Sequence, residues 1–304
     1  MIPYQRLDLR EKARYDAYLQ SCGERGCEYS FTNLFLWGRQ KAAFVDGHLT
    51  LLSQFDRRSV YPFPVGQGDV KPVLDAIIHD SRTRGIPCCL SSMTEADCET
   101  LNTLYPGAFR FYTDRNNFDY IYSIDDLADL KGRKFQKKRN HLNKFRQNHP
   151  DCQILPLNEQ TRVAAFLLLR QWYQNRLTTD PHGDFHLEQL ALERAFAFQA
   201  QLELEGLVLM ENGQAIAFAM GSRLNPDTFD IHFEKALENI DGAYAAINQA
   251  FAQHLREKYP ELRWLNREDD LGIEGLRKAK LSYNPVRMVE KHWARLWETE
   301  DELY

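Results

Sequence analysis

No stretch of the 304 residues approaches the roughly 20 consecutive apolar residues that a membrane-crossing helix needs. The opening Met-Ile-Pro-Tyr-Gln-Arg has no apolar core of a signal peptide. Cysteine is sparse and unpaired: the six, at 22, 27, 88, 89, 98 and 152, show no C-x-x-C spacing. That argues against a disulfide framework and against thiolate ligand pairs, and leaves free thiols in a reducing compartment. His182 and His186 lie four apart, but Pro181 and Gly183 make the segment a loop without a second ligand pair, so no metal is expected. A formal net charge of −5 rules out an overall polycation. The expectation is a cytoplasmic globular chain of one large or two ordinary domains.

Elements follow from periodicity and turn chemistry. The first half reads as helices over 7–19 and from 29 to 37, then a hairpin turning at Asp46-Gly47. A strand over 61–65, a helix over 70–83, a strand over 86–90, a helix over 95–104 and a hairpin or bent strand over 109–122 follow. Two helices, 163–173 and 187–201, flank a polar loop over 176–186 that suits a substrate loop or plain exposure. The last third then repeats the order of the first. A strand over 206–210 turns at Asn212-Gly213, and over 228–234 Phe229, Ile231 and Phe233 alternate with Thr228, Asp230, His232 and Glu234. A helix over 243–258 follows Asp241-Gly242, an entry that either cradles a phosphate on bare amides or is simply capped by Asp241. The strand over 262–265 runs into Asn266-Arg-Glu-Asp-Asp270. A helix over 271–281 and a strand over 286–289 complete the run, and an acidic tail over 298–302 ends the chain. The echo is one of topology and not of residue identity. It gives domains over 1–125 and 151–304 joined by a helical linker over 126–150.

That linker concentrates positive charge. From Lys131 to Arg146 there is no acid, while Phe135, Leu142 and Phe145 fall on one helical face. In a chain acidic overall, such a stripe suits a phosphate-bearing partner: nucleic acid, a nucleotide donor or an anionic lipid head group. The residues expected to hold the polyanion are Arg133, Lys134, Lys137, Lys138 and Arg139. The alternative is a solvated helix balanced by Asp125, Asp126 and Asp129 just upstream.

The motifs Gly132-Arg-Lys-Phe-Gln-Lys-Lys-Arg-Asn-His141, His232-Phe-Glu-Lys235, Gly242-Ala-Tyr244 and Asn266-Arg-Glu-Asp-Asp-Leu-Gly-Ile-Glu-Gly-Leu-Arg-Lys-Ala-Lys280-Leu-Ser-Tyr-Asn-Pro285 carry a family resemblance. Over nearly its whole length the chain resembles soluble relatives of the C-terminal catalytic domain of bacterial phosphatidylglycerol lysyltransferases, kin to the Fem-type aminoacyltransferases. The resemblance implies a mixed α/β (α+β) fold of two tandem GNAT-like domains, the C-terminal one catalytic. It also implies transfer of an aminoacyl or acyl group to an amine or hydroxyl. The donor would be aminoacyl-tRNA or acyl-CoA, with no tightly bound cofactor. The CoA-binding pattern of GNAT enzymes, Gln or Arg followed by x-x-Gly-x-Gly/Ala, is not matched around 239–244.

Acyl transfer needs a proton acceptor, a stabilised oxyanion and two oriented substrates. Glu234, at its strand's end, is the expected base. Asp269, expected in the same crevice, is a second base or a grip on the acceptor amine. Gly242, Ala243 and Tyr244 are expected to receive donor phosphate or ribose, and Arg277 and Lys280 to neutralise donor charge. Two other readings fit the sequence: an acyl-CoA N-acetyltransferase, and a non-catalytic module binding RNA or an anionic surface.

Overall fold

The structure is a computed structural model, described here for all residues except 21, 24, 56, 57, 180–184 and 298–304. His182, residues 180–184 of the expected 176–186 loop and the acidic tail therefore lie outside the described residues, while 176–179 are not loop but the end of helix Arg162–Thr179, and His186 opens the next helix. The chain divides into two compact units that do not follow chain order. One comprises Met1–Asp119, Asp269–Gly272 and the chain from Val289 onward; the other comprises Tyr120–Glu268 and Ile273–Met288. The basic span read as a linker packs inside the second unit, burying Phe135, Leu142 and Phe145 as the periodicity predicts.

The first unit is built on an eight-stranded sheet. Strands Gln40–Val45 and His48–Phe55 pair from Val45–His48 outward, leaving a two-residue turn. Asp46 and Gly47 both have positive φ (45° and 75°), the conformation whose twist matches a hairpin. Helix Lys71–Arg84 packs its apolar stripe of Val73, Leu74 and Ile77 with Tyr61, Phe63, Leu90 and Leu101. The run over 109–122 is not a hairpin. Asp114 caps a 3-10 turn over Arg115–Asn117, which separates strand Phe109–Thr113 from strand Asp119–Ser123, and the two join different sheets. The partner of Phe109–Thr113 is His292–Leu296, which also pairs Cys89–Met93.

The second unit carries a seven-stranded sheet. Its elements are β1 (Asp119–Ser123), α1 (Ile124–Asp129), α2 (Gln136–Asn148), β2 (Gln153–Pro156), α3 (Arg162–Thr179), α4 (His186–Ala197), β3 (Glu205–Glu211), β4 (Gln214–Arg223), β5 (Thr228–Ala236), α5 (Ala243–Lys258), β6 (Trp264–Asn266), α6 (Glu274–Leu281) and β7 (Arg287–Val289). The strand order is β7-β1-β6-β5-β4-β3-β2. Asn212 and Gly213 form the β3–β4 turn with φ of 51° and 77°. Helix α6 starts three residues later than its apolar pattern suggests. Leu271 and Gly272 are left-handed (φ 51° and 74°), and the Asp270 carboxylate takes the Gly272 N–H, so Asp269 and Asp270 precede a loop and not a helical turn.

Candidate active site

The site follows from how β5 and β6 part. The two strands run parallel and pair only at Thr228–Trp264, Phe229–Leu265 and Asp230–Asn266. Strand β5 continues to Ala236, whereas β6 ends at Asn266. Glu234 lies four residues beyond the last pair on one strand and Arg267 one residue beyond on the other. Arg267 Nη2 donates to Glu234 Oε1 at 3.0 Å, and Asn248 Nδ2, from α5, donates to Oε2 at 3.0 Å. Both partners of the ion pair are withdrawn from water, with 12% and 9% of their side chains exposed.

Three more side chains complete the group. The Arg267 guanidinium lies 4.8 Å over the Tyr283 ring and 5.4 Å over Tyr122. The Lys138 ammonium, from the first turns of α2, lies 3.7 Å over the same Tyr283 ring. Burial works against the Arg267 charge, but the Glu234 carboxylate outweighs it and holds the guanidinium protonated. Lys138 goes the other way: burial first, then Arg267, bring its pKa down to about 8, with Glu234 opposing. Burial and Glu234 push the Tyr283 phenol up, so it stays neutral.

Polar atoms are left over. Within this cluster, Arg267 Nη1 and Asn248 Oδ1 are two of the buried side-chain atoms that have no hydrogen-bond partner among the described residues. A native interior rarely leaves such atoms unsatisfied, so each is suited to bond a water or a ligand group. The set is one donor, on Arg267, and one acceptor, on Asn248, beside a carboxylate that has used two of its four lone-pair sites.

The backbone that presents Arg267 is fixed on every side. Arg267 N donates to Tyr120 O, Tyr120 N to Glu268 O, and Glu268 N to Asn266 Oδ1 at 2.7 Å. Glu268 is left-handed (φ 55°), a costly conformation for a residue with a side chain. Its carboxylate lies 3.3 Å from His232 Nδ1, and Ser222 Oγ lies 2.9 Å from His232 Nε2. The Lys280 ammonium is bonded to the Arg267 carbonyl. On the opposite face of β5, Lys235 pairs with Glu188 at 2.8 Å over the Trp172 ring, and Tyr173 donates to the second Glu188 oxygen. That cluster anchors α3 and α4 to the strand carrying Glu234.

The profile of the family described as phosphatidylglycerol lysyltransferase, C-terminal, matches residues 20–295. The chain belongs to that family. Among solved structures, a conserved protein of Bacteroides thetaiotaomicron is 38% identical, with 98% of this chain and 100% of that one covered at a TM-score of 0.90. The structure of L-PGS from Bacillus licheniformis shares the fold at 16% identity, covering 99% and 96% of the two chains with a TM-score of 0.67. A tandem GNAT protein from the clavulanic acid biosynthesis pathway shares it at 9% identity, covering 98% and 100% with a TM-score of 0.50. A curated relative from Mycoplasmoides gallisepticum is 25% identical over 181 residues, which span 59% of this chain and only 56% of that protein. The architecture is thus the tandem GNAT-like one, and family and fold together suggest acyl transfer. No helix among the described residues is long and apolar enough to cross a membrane.

In this lysyltransferase-family chain the residues singled out from sequence fall in several settings. Glu234 is at the centre of the cluster. Asp269 belongs to the first compact unit and contributes to the field around Lys291, whose ammonium bonds Glu28 and Asp119 at 2.7 Å each. Gly242, the α5 N-cap with φ 86°, has no room above it: a Cβ there would lie 2.5 Å from His141 O. Its bare backbone serves the packing of α2 on α5, with Ala243 wholly buried and Tyr244 part-exposed, its hydroxyl 3.3 Å from Trp172 Nε1. Lys280 is 8% exposed and supports the Arg267 backbone, while Arg277 is half-buried on α6. In the basic span Lys134 pairs with Asp126, and Arg139 donates to the carbonyls of Leu130 and Gly132. Arg133 and Lys137 are exposed, and Lys138 faces the cluster. Arg267, Asn248 and Tyr283 do not stand out in the sequence as site residues. Arg267 and Tyr283 stand inside the long family motif, flanked by more conspicuous acids and lysines, and Asn248 reads as one polar position on an amphipathic helix.

Proposed function

We propose that this chain is an acyltransferase that moves an activated acyl group from aminoacyl-tRNA to an amine or hydroxyl acceptor at the Glu234–Arg267 cluster. The observation that carries the reading is the set of unused polar atoms. Glu234 and Asn248 Oδ1 are acceptors suited to the N–H or O–H of a nucleophile, and Arg267 Nη1 is a donor suited to the acyl oxygen. An N–H donor fixed before the reaction gains strength as that oxygen becomes anionic, which is the differential stabilisation catalysis requires. Arg133 and Lys137, exposed at the start of the basic span, would track the donor's phosphates. Family membership and the tandem GNAT-like fold support acyl transfer as the reaction class. The CoA-binding pattern left unmatched around 239–244 favours a tRNA donor over CoA.

Thermal shift with charged tRNA, uncharged tRNA, acetyl-CoA and free CoA tests the donor. The expected result is a rise in Tm with tRNA alone that shrinks as salt is added. Stabilisation by acetyl-CoA and CoA, with none by tRNA, would overturn the choice of donor.

A further inference from the structure

The basic span contains one lysine that does not behave like its neighbours. Lys131, Lys134 and Lys144 each hold a carboxylate, at 2.8 Å (Asp129), 2.6 Å (Asp126) and 2.7 Å (Asp241). Lys137 is exposed. Lys138 is half-buried and, among the described residues, has no carboxylate within ion-pair distance. Its amine instead stands on the face of Tyr283, which also carries the Arg267 guanidinium, so two cationic groups share one ring. The charged and titratable groups that face it are Arg267 from the end of β6, Glu234 from β5 and the Tyr283 phenol after α6. A lysine serving only to attract phosphate would stay in water or near an acid. This one is turned toward the polar group where the acyl transfer proposed above would take place.

We propose that the Lys138 amine takes the acceptor's proton during this transfer and returns it to the donor's leaving oxygen. The inference rests on the transferase reading and deepens it. The acceptor is H–X, with X nitrogen or oxygen. As X bonds to the acyl carbon, its proton passes to neutral Lys138 Nζ. The bond from the acyl carbon to the donor oxygen then breaks, and that oxygen takes the proton from the Lys138 ammonium. The amine is regenerated, nothing is oxidised or reduced, and the products are acylated acceptor and free donor hydroxyl. The environment suits the task. Burial and Arg267 hold Lys138 at about 8, so about a tenth of it is neutral at pH 7 and half at pH 8, where a base and its conjugate acid both act efficiently. Glu234, already bonded by Arg267 and Asn248, is left to hold the acceptor in place.

Two measurements on the full chain test this. The first needs no substrate: competitive labelling of lysines with acetic anhydride across pH 6–11, read peptide by peptide by mass spectrometry. Lys138 is expected to become reactive with a midpoint near pH 8, well below the ordinary lysine value of 10.5. A Lys138 midpoint at the ordinary lysine value overturns the proposal whatever the protein transfers. The second is the rate of acyl transfer from charged tRNA to hydroxylamine, a small surrogate nucleophile, above the uncatalysed background. Lys138→Arg keeps the charge but cannot release a proton, and is expected to lose at least 100-fold in rate with tRNA-induced stabilisation unchanged. The control Lys144→Arg is expected to keep the wild-type rate. If Lys138→Arg transfers at the wild-type rate, Lys138 is only a cationic strut and the proposal fails while the transferase reading stands. If the wild-type chain gives no transfer above background, the transferase reading fails and this proposal with it.

Discussion

Arg267 and Glu234, 33 residues apart in the chain, are joined by a hydrogen bond of 3.0 Å across the point where two parallel strands stop pairing. Neither strand end alone makes a site. The parting of β5 from β6 places a guanidinium and a carboxylate face to face, and α5 adds Asn248 from behind. The pair is shielded from water, and its energetics dominate what substitution there will do.

Arg267→Met leaves the Glu234 carboxylate buried without its charge partner. Removing one member of a buried ion pair typically costs about 3–5 kcal/mol. Urea unfolding is expected to show a loss of that order, and the double variant Arg267→Met with Glu234→Gln is expected to recover part of it. Equal stability of wild type and Arg267→Met would show that the pair carries no structural weight.

Gly242→Ala tests the packing of the basic helix. The residue is left-handed, and a Cβ would lie 2.5 Å from His141 O and 2.9 Å from Phe145 Cβ. Strain and overpacking together are expected to cost about 1–3 kcal/mol, measured as a fall in Tm. An unchanged Tm would mean that α2 and α5 are not held as closely as described.

Local chemistry was legible in the sequence, and long-range pairing was not. Asp46-Gly47 and Asn212-Gly213 announced both hairpins, because only residues tolerant of positive φ turn a two-residue loop. The buried face of α2 followed from apolar spacing. Strand His292–Leu296 could not be foreseen, since its partners lie nearly two hundred residues earlier and nothing in its own five residues names them. Helix α6 starts late because Leu271 and Gly272 adopt a left-handed turn that periodicity does not register. Glu234 stood out as the last ionisable residue of an alternating strand. Arg267 did not, because its importance comes from where a three-residue strand ends.

Acid stability has a specific contributor in Glu205. The His254 ring at 3.6 Å, then Lys258 and the Tyr259 hydroxyl, hold its carboxyl at about 2 against the opposing effect of burial. A carboxyl depressed on folding contributes stability that is complete above its unfolded value of about 4.5 and is lost as pH falls through about 2. The contribution is about 3 kcal/mol at most. Glu205→Gln is expected to be less stable than wild type at pH 7, with the gap closing between pH 4.5 and pH 2 in chemical denaturation. A gap independent of pH would contradict this.

The cationic span is predicted to be divided in function. Arg133→Glu and Lys137→Glu should each weaken tRNA binding and lower the slope of log affinity against log salt by about 1. Arg139→Ala removes donors from the Leu130 and Gly132 carbonyls and should lower Tm more than it lowers affinity. Fluorescence anisotropy across a salt series, together with melting curves, separates the two effects. Identical salt slopes for wild type and Lys137→Glu would exclude that lysine from phosphate contact.

The most direct test is single-turnover transfer from charged tRNA to hydroxylamine, comparing wild type with Glu234→Gln after melting curves have shown that the variant is folded. The wild type is expected to give enzyme-dependent product, and the variant a rate at least 100-fold lower. Full transfer by folded Glu234→Gln would contradict this.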